Sequence, residues 1–159
     1  MSENMKSMNL SITVDDGSRR IPILNTNGDE IGAFTFRPTD IGIIDRYNAL
    51  ADKFEDITKP LEAVQTAPDE AVDLSDPKYT GALAEAEKRL REAVDTLLDS
   101  EDAAAAFFGK MNPFSPVNGE FYCTQVLDVL GRFIGAQFSR ETQQLSARVA
   151  KYAKKATRK

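Results

Sequence analysis

One thiol and several clusters of carboxylates are the side chains in this 159-residue chain whose type and spacing invite a chemical reading. Cys123 is the sole cysteine and there is no histidine, so the thiol lacks the base that usually activates a nucleophile. Ordinary Ser–His and Cys–His hydrolase arrangements are thereby excluded. An internal disulfide is impossible, and a structural zinc site has almost no ligands to draw on. Carboxylate or lysine chemistry remains open in principle, but no P-loop, GxGxxG or paired-carboxylate signature stands where an element would position it. Cys123 therefore reads as a small buried hydrophobe. Two turns, Asp15-Asp16-Gly17-Ser18 and Asn25-Thr26-Asn27-Gly28-Asp29, offer oxygen ligands of the kind calcium takes. Neither supplies a twelve-residue loop ending in a bidentate glutamate, so both read as turns. The acidic stretch from Glu62 to Tyr79, with Pro68, Asp69, Glu70, Asp73, Asp76 and Pro77, lacks regular ligand spacing and reads as a solvated linker. The expectation is a protein without catalytic, cofactor or metal residues, and not an enzyme.

The elements that would carry these residues predict an α+β fold: a small N-terminal antiparallel β meander followed by a mainly helical bundle. Three strands are expected. Asn9 to Val14 alternates Leu10, Ile12 and Val14 on one face, Arg20 to Leu24 resumes after the first turn, and Glu30 to Phe36 follows the Asn27-Gly28 turn. Phe34 and Phe36 share a face by the strand's period of two. Pro38 stops the strand and Thr39 is expected to cap a helix from Asp40 to about Asp56, ending before Pro60, with Ile41, Ile44, Tyr47, Ala51 and Phe54 at helical spacing. A second helix from Gly81 to Ser100 carries Leu83, Leu90, Val94 and Leu97 on one stripe, with Ala86 and Ala93 beside it. A short helix from Asp102 to Phe108 ends at Gly109. The last helix begins near Glu120 with a broad apolar face of Phe121, Val126, Leu127, Leu130, Phe133, Ile134 and Phe138.

Length fits one core. Residues 1–8 are expected to be a flexible N-terminus, residues 9–147 a single α+β domain (meander 9–37, helical part 39–147, acidic linker about 62–79), and residues 148–159 a basic tail. That tail holds Arg148, Lys151, Lys154, Lys155, Arg158 and Lys159 and no acid, whereas residues 1–147 hold 14 basic and 25 acidic side chains, a net of −11. With a pI near 4.9 the chain as a whole repels a phosphate backbone, so no direct nucleic-acid contact is expected. The tail reads as a solvated helix end or as an electrostatic contact to an acidic partner or a neighbouring subunit. No run approaches the ~18 apolar residues of a membrane span, and Met1 to Leu10 lacks the apolar region of a signal peptide, so the expectation is a cytoplasmic protein with no membrane partner.

Between the short helix and the last one lies Met111-Asn112-Pro113-Phe114-Ser115-Pro116-Val117-Asn118-Gly119, a proline-stiffened apolar loop. Its Phe114 reads either as a plug of the core or as a knob for a partner. Phe36-Arg37-Pro38-Thr39-Asp40 with Arg46-Tyr47-Asn48, the segment Phe107-Phe108-Gly109-Lys110-Met111-Asn112-Pro113-Phe114-Ser115, and Gly119-Glu120-Phe121-Tyr122 resemble the tail assembly chaperone-like proteins of long-tailed phages and prophages of Gram-positive bacteria. The resemblance spans most of residues 10–138 and rests on Pro38, Thr39 and the Gly109 to Ser115 loop. It implies a protein of the host cytoplasm that binds the tape-measure protein, keeps its apolar helices soluble, assists polymerisation of the tail tube around it, and is absent from or minor in the mature virion. The major tail protein and self-association are the further contacts it suggests. Phe107, Phe108, Met111, Phe114 and Val117 are the candidate partner-binding residues, and Phe36, Pro38, Thr39, Asp40, Gly109, Asn112 and Pro113 form the structural motif. Two other classes stay open: a head–tail or tail-tube subunit of the virion, and a small phage effector acting on a host protein.

Overall fold

The computed structural model describes residues 10–65 and 77–157, and within them the fold is α+β. Strands β1 (Arg19–Leu24) and β2 (Glu30–Phe36) form an antiparallel pair, followed by helices α1 (Gly42–Gln65), α2 (Pro77–Leu98) and α3 (Ala103–Phe108). A miniature hairpin of β3 (Pro116–Val117) and β4 (Glu120–Phe121) leads into the long helix α4 (Tyr122–Thr157). Buried side chains from β2, all four helices and the loop after α3 make one apolar cluster. The acidic residues Asp69, Glu70, Asp73 and Asp76, the N-terminal eight residues and the final Arg158 and Lys159 lie outside the described residues.

The hairpin is where local chemistry and packing meet. Asn25 Oδ1 accepts the amides of Asn27 and Asp29 at 2.9 and 3.0 Å, and Gly28 supplies the positive φ (87°) that reverses the chain. Pairing of Ile21 with Phe34 and Ile23 with Gly32 puts these four residues on one face, which packs on α3. Gly32 makes that packing possible: a Cβ at this position would collide with the backbone carbonyl of Ala106. The ring of Phe34 then stacks obliquely on Phe36 (4.9 Å between centroids) and on Phe107 (5.2 Å), and Phe36 reaches Phe133 of α4.

Three expectations about the elements need correction. Leu10 to Val14 forms no strand: its alternating Leu10, Ile12 and Val14 are 88, 93 and 75% exposed, because neither edge of the β1–β2 pair is taken up by this segment. Helix α1 does not stop before Pro60 but runs through it to Gln65. Proline removes one amide donor, and the turn after it is held by burial of Leu61. The face of α1 that enters the core is Ile43, Leu50, Ile57 and Leu61, whereas Ile41 and Ile44 of the expected stripe are 75 and 50% exposed. Both stripes have helical spacing. Packing against the neighbouring helices α2 and α4 selects between them.

The cap of α1 is also displaced by one residue. Asp40 Oδ1, not the Thr39 hydroxyl, accepts the Gly42 amide at 2.9 Å, and Asp40 Oδ2 accepts Arg46 Nη2 at 3.1 Å. Arg46 Nε continues to the carbonyl of Leu97 at 2.8 Å, tying the first turn of α1 to the last turn of α2. That turn closes on Asp99 at φ 48°, with Ser100 N–H donating to Asp95 O and Asp99 N–H to Thr96 O. Asp95 in turn reaches forward, its Oδ1 accepting the Ala104 amide at 2.8 Å, and so caps α3 from a different helix. Helix α2 begins at Pro77 and not at Gly81, and α1 reaches Gln65, so both ends of the expected linker of about 62–79 are helical; Ala86, Leu90, Val94 and Leu97 are buried on α2 as expected, joined by Leu98, and Val126, Leu130 and Ile134 are buried on α4.

The Gly42 amide and then Arg46 hold the Asp40 carboxyl below its ordinary value of 3.8, so its stabilisation is present above that value and is lost as pH falls through the lower, folded one. Asp40→Ala is expected to cost about 1 kcal/mol at neutral pH, and Thr39→Ala close to nothing. Denaturant titration of both variants against the parent checks this, and the gap between parent and Asp40→Ala should close on acidification. Gly32→Ala is expected to cost about 1–3 kcal/mol, because the added methyl meets the α3 backbone and not a side chain that can turn away. An unchanged unfolding midpoint for that variant would show that α3 is free to back off.

Candidate functional site

The loop singled out in the sequence is built inward. Pro113 is fully buried, Phe108 and Phe114 are 4 and 5% exposed, and Phe114 meets Phe121 edge-on at 5.3 Å. Asn112 Oδ1 accepts the Phe114 amide, while the carbonyls of Ser115 and Pro113 accept the amides of Tyr122 and Cys123, so the loop itself satisfies the first turn of α4. Gly109 takes φ 55° as the residue after α3, its amide donating to Ala105 O at 2.8 Å. Arg91 Nη2 donates to the carbonyls of Gly109 and Met111 at 2.8 and 3.1 Å, with its guanidinium 5.7 Å from the centre of the Phe108 ring. Phe108 and Phe114 are thus core residues and cannot be contact residues on a surface. Asn112 and Pro113 shape the loop, as Pro38, buried at the end of β2, shapes the entry to α1.

Phe107, Met111 and Val117 are closer to solvent. Phe107 and Val117 line an open groove of about 290 Å³ along the hairpin edge, together with Ile23, Leu24, Ile31 and Val129. Leu24, Ile31 and Val129 are 60, 43 and 51% exposed. Met111, 39% exposed, is not among the residues that line it. The hairpin makes this groove by an irregularity: Ile23 pairs with Gly32 and Leu24 with Glu30, so Ile31 is bulged out of register. On the far side Tyr122 is held by its hydroxyl donating to Phe107 O at 3.1 Å. The sequence reading missed Leu24, Ile31 and Val129 as surface residues. Leu24 and Ile31 flank the Asn25–Asp29 turn, where alternation assigns apolar residues to a core, and Val129 stands on α4 beside its expected apolar face.

The groups with chemistry are occupied structurally. Asp15 is held by Arg19 and the Gly17 amide, and Asp16 by Ser18 and Arg37, whose Nε and Nη2 both donate to Asp16 Oδ2; both carboxyls lie below their usual range for those reasons. Asp95 is displaced upward by burial, an effect the Ala104 amide partly offsets. Among the described residues no cluster of acidic and thiol side chains converges as a metal site would require. Cys123 is fully buried, and burial pushes its thiol up to about 11.

Comparison with family models, curated proteins and solved structures finds no match to this chain. Its sites are therefore read from its own geometry.

In the native protein Cys123 is expected to resist a thiol reagent at about pH 8 and to react fully once the chain is unfolded. Because its folded value is raised, the stability it confers is intact below the ordinary 9.0 and is lost as pH climbs toward about 11. Prompt labelling of the native protein would contradict the burial.

Proposed function

We propose that this protein is a tail assembly chaperone of a long-tailed bacteriophage or prophage. In this reading it binds apolar helical segments of the tape-measure protein in the host cytoplasm, keeps them soluble while tail-tube subunits polymerise around them, performs no catalysis, and leaves before the particle matures. The observation that carries the reading is the hairpin-edge groove, where Leu24, Ile31 and Val129 offer apolar surface between Phe107 and Val117. Holding an apolar helix requires a face of this kind on a stable body, and it requires no nucleophile or cofactor. The resemblance of Phe36–Asp40, Phe107–Ser115 and Gly119–Tyr122 to tail assembly chaperone-like proteins supplies the client class. With Phe108 and Phe114 in the core, client contact falls to Phe107 and Val117 and to the three exposed aliphatics beside them.

Co-expression with segments of a tape-measure protein is expected to shift those segments from the insoluble to the soluble fraction. Leu24→Asp and Val129→Asp should abolish the shift while leaving the unfolding midpoint near that of the parent, since neither carboxylate is forced into the core. Folded variants that solubilise the client as well as the parent would remove the groove from the mechanism. Failure of the parent with every segment, or the protein's presence as a major component of purified virions, would remove the chaperone function itself.

A further inference from the structure

Helix α4 outruns the body it belongs to. Its first half packs through Val126, Leu130 and Ile134, but from Ser139 to Lys151 every residue is exposed on every face, Ala147 and Ala150 included, and the helix continues to Thr157. That projecting part is roughly 28 Å long at 1.5 Å per residue. A solvated helix of this length draws little stability from its backbone alone and usually depends on an apolar face meeting a partner.

Such a face is present and has a period. Phe138, Thr142, Leu145 and Val149 follow one another at spacings of four, three and four, the d and a positions of a coiled-coil seam, and Phe138 still packs against the body. Leu145 and Val149 are 63 and 58% exposed. Traced backward into the body, the same seam reaches Gly135 and Gly131. There it runs along a groove of about 510 Å³ between α4 and α1, lined by Ile44, Tyr47 and Phe138 and also by Asn48, Asp128 and Arg132. A Cβ on Gly135 would meet nothing within 4 Å, whereas one on Gly131 would contact the Tyr47 hydroxyl.

We propose that this seam pairs antiparallel with the same seam of a second copy of the chain. The pattern is self-complementary about a centre between Thr142 and Leu145. Phe138 falls opposite the Val149 position of the other copy and Thr142 opposite Leu145. The flanking charges agree: Glu141 and Arg148 occupy equivalent g positions, which oppose each other across an antiparallel pair and give two Glu–Arg contacts per dimer. A parallel pair would bring Glu141 to Ser146 instead. In the antiparallel pair Lys151 is carried back toward the other copy, whose residues 1–147 are net −11. This pairing is separate from the hairpin-edge groove and does not depend on the client reading.

Sedimentation velocity of the full chain across a concentration series tests it. The parent is expected to show a monomer–dimer equilibrium. Leu145→Asp with Val149→Asp should give monomer with the body's cooperative unfolding retained, both sites being well exposed. Arg148→Glu alone and Glu141→Arg alone should each weaken the dimer at least several-fold, and the double exchange Glu141→Arg with Arg148→Glu should restore it. A parent that stays monomeric up to its solubility limit would overturn the proposal, as would a dimer that persists in the folded Leu145→Asp, Val149→Asp variant. Single charge variants that weaken the dimer without rescue in the exchange would overturn the antiparallel register.

Discussion

The body of this protein turns on one contact between two backbones. Gly32 of β2 lies so close to Ala106 of α3 that no side chain fits between them, and each element needs the other. An isolated two-stranded hairpin is marginal in water, and a six-residue helix is far too short to persist alone. Pressed together they cover the inner face of the hairpin and bring Phe34 and Phe36 against Phe107 and Phe133. The alanines of α3 serve the same end: Ala103, Ala104 and Ala106 are buried, and larger side chains there would hold the strand off.

Around that contact the polar side chains act mainly on helix ends. Arg46 reaches the last turn of α2, Asp95 caps α3, and Arg91 takes the carbonyls that follow α3. The first two satisfy backbone groups that the end of a helix leaves without an internal partner, and the third braces the loop that follows. Carboxylates and guanidinium groups that could have suggested a reactive site are committed to joining consecutive elements. Two of the apolar surfaces left open among the described residues differ in kind. One is a groove created by a bulge at the hairpin edge, the surface proposed for a client. The other is a periodic seam on a projecting helix, the surface proposed for a second copy of the chain.

Much of the fold was legible because it follows from local rules. The Asn-Gly turn with its positive φ, the alternation through Phe34 and Phe36, the stripe of α2 and the glycine closing α3 all act within a few residues of their cause. Cys123 was legible for a similar reason, since without a histidine it has only its apolar surroundings to respond to. The α+β class follows from the order of these signals along the chain.

What only the tertiary structure decided are choices between locally equivalent alternatives. Leu10 to Val14 alternates as well as β2 does, yet a strand also needs an edge to pair with, and pairing energy is not a property of the segment. Both Ile41-Ile44-Tyr47 and Ile43-Leu50-Ile57 are helical stripes; packing against α2 and α4 buries the second. Thr39 and Asp40 are both capable caps, and Asp40 prevails because its second oxygen also finds Arg46. Phe114 is as apolar as Leu24, but the loop's bonds to α4 turn the one inward while the bulge leaves the other out. Residue type and spacing thus set which local conformations were available to this chain, and contacts between residues distant in sequence set which of them was kept, because burial is shared by the two surfaces that meet.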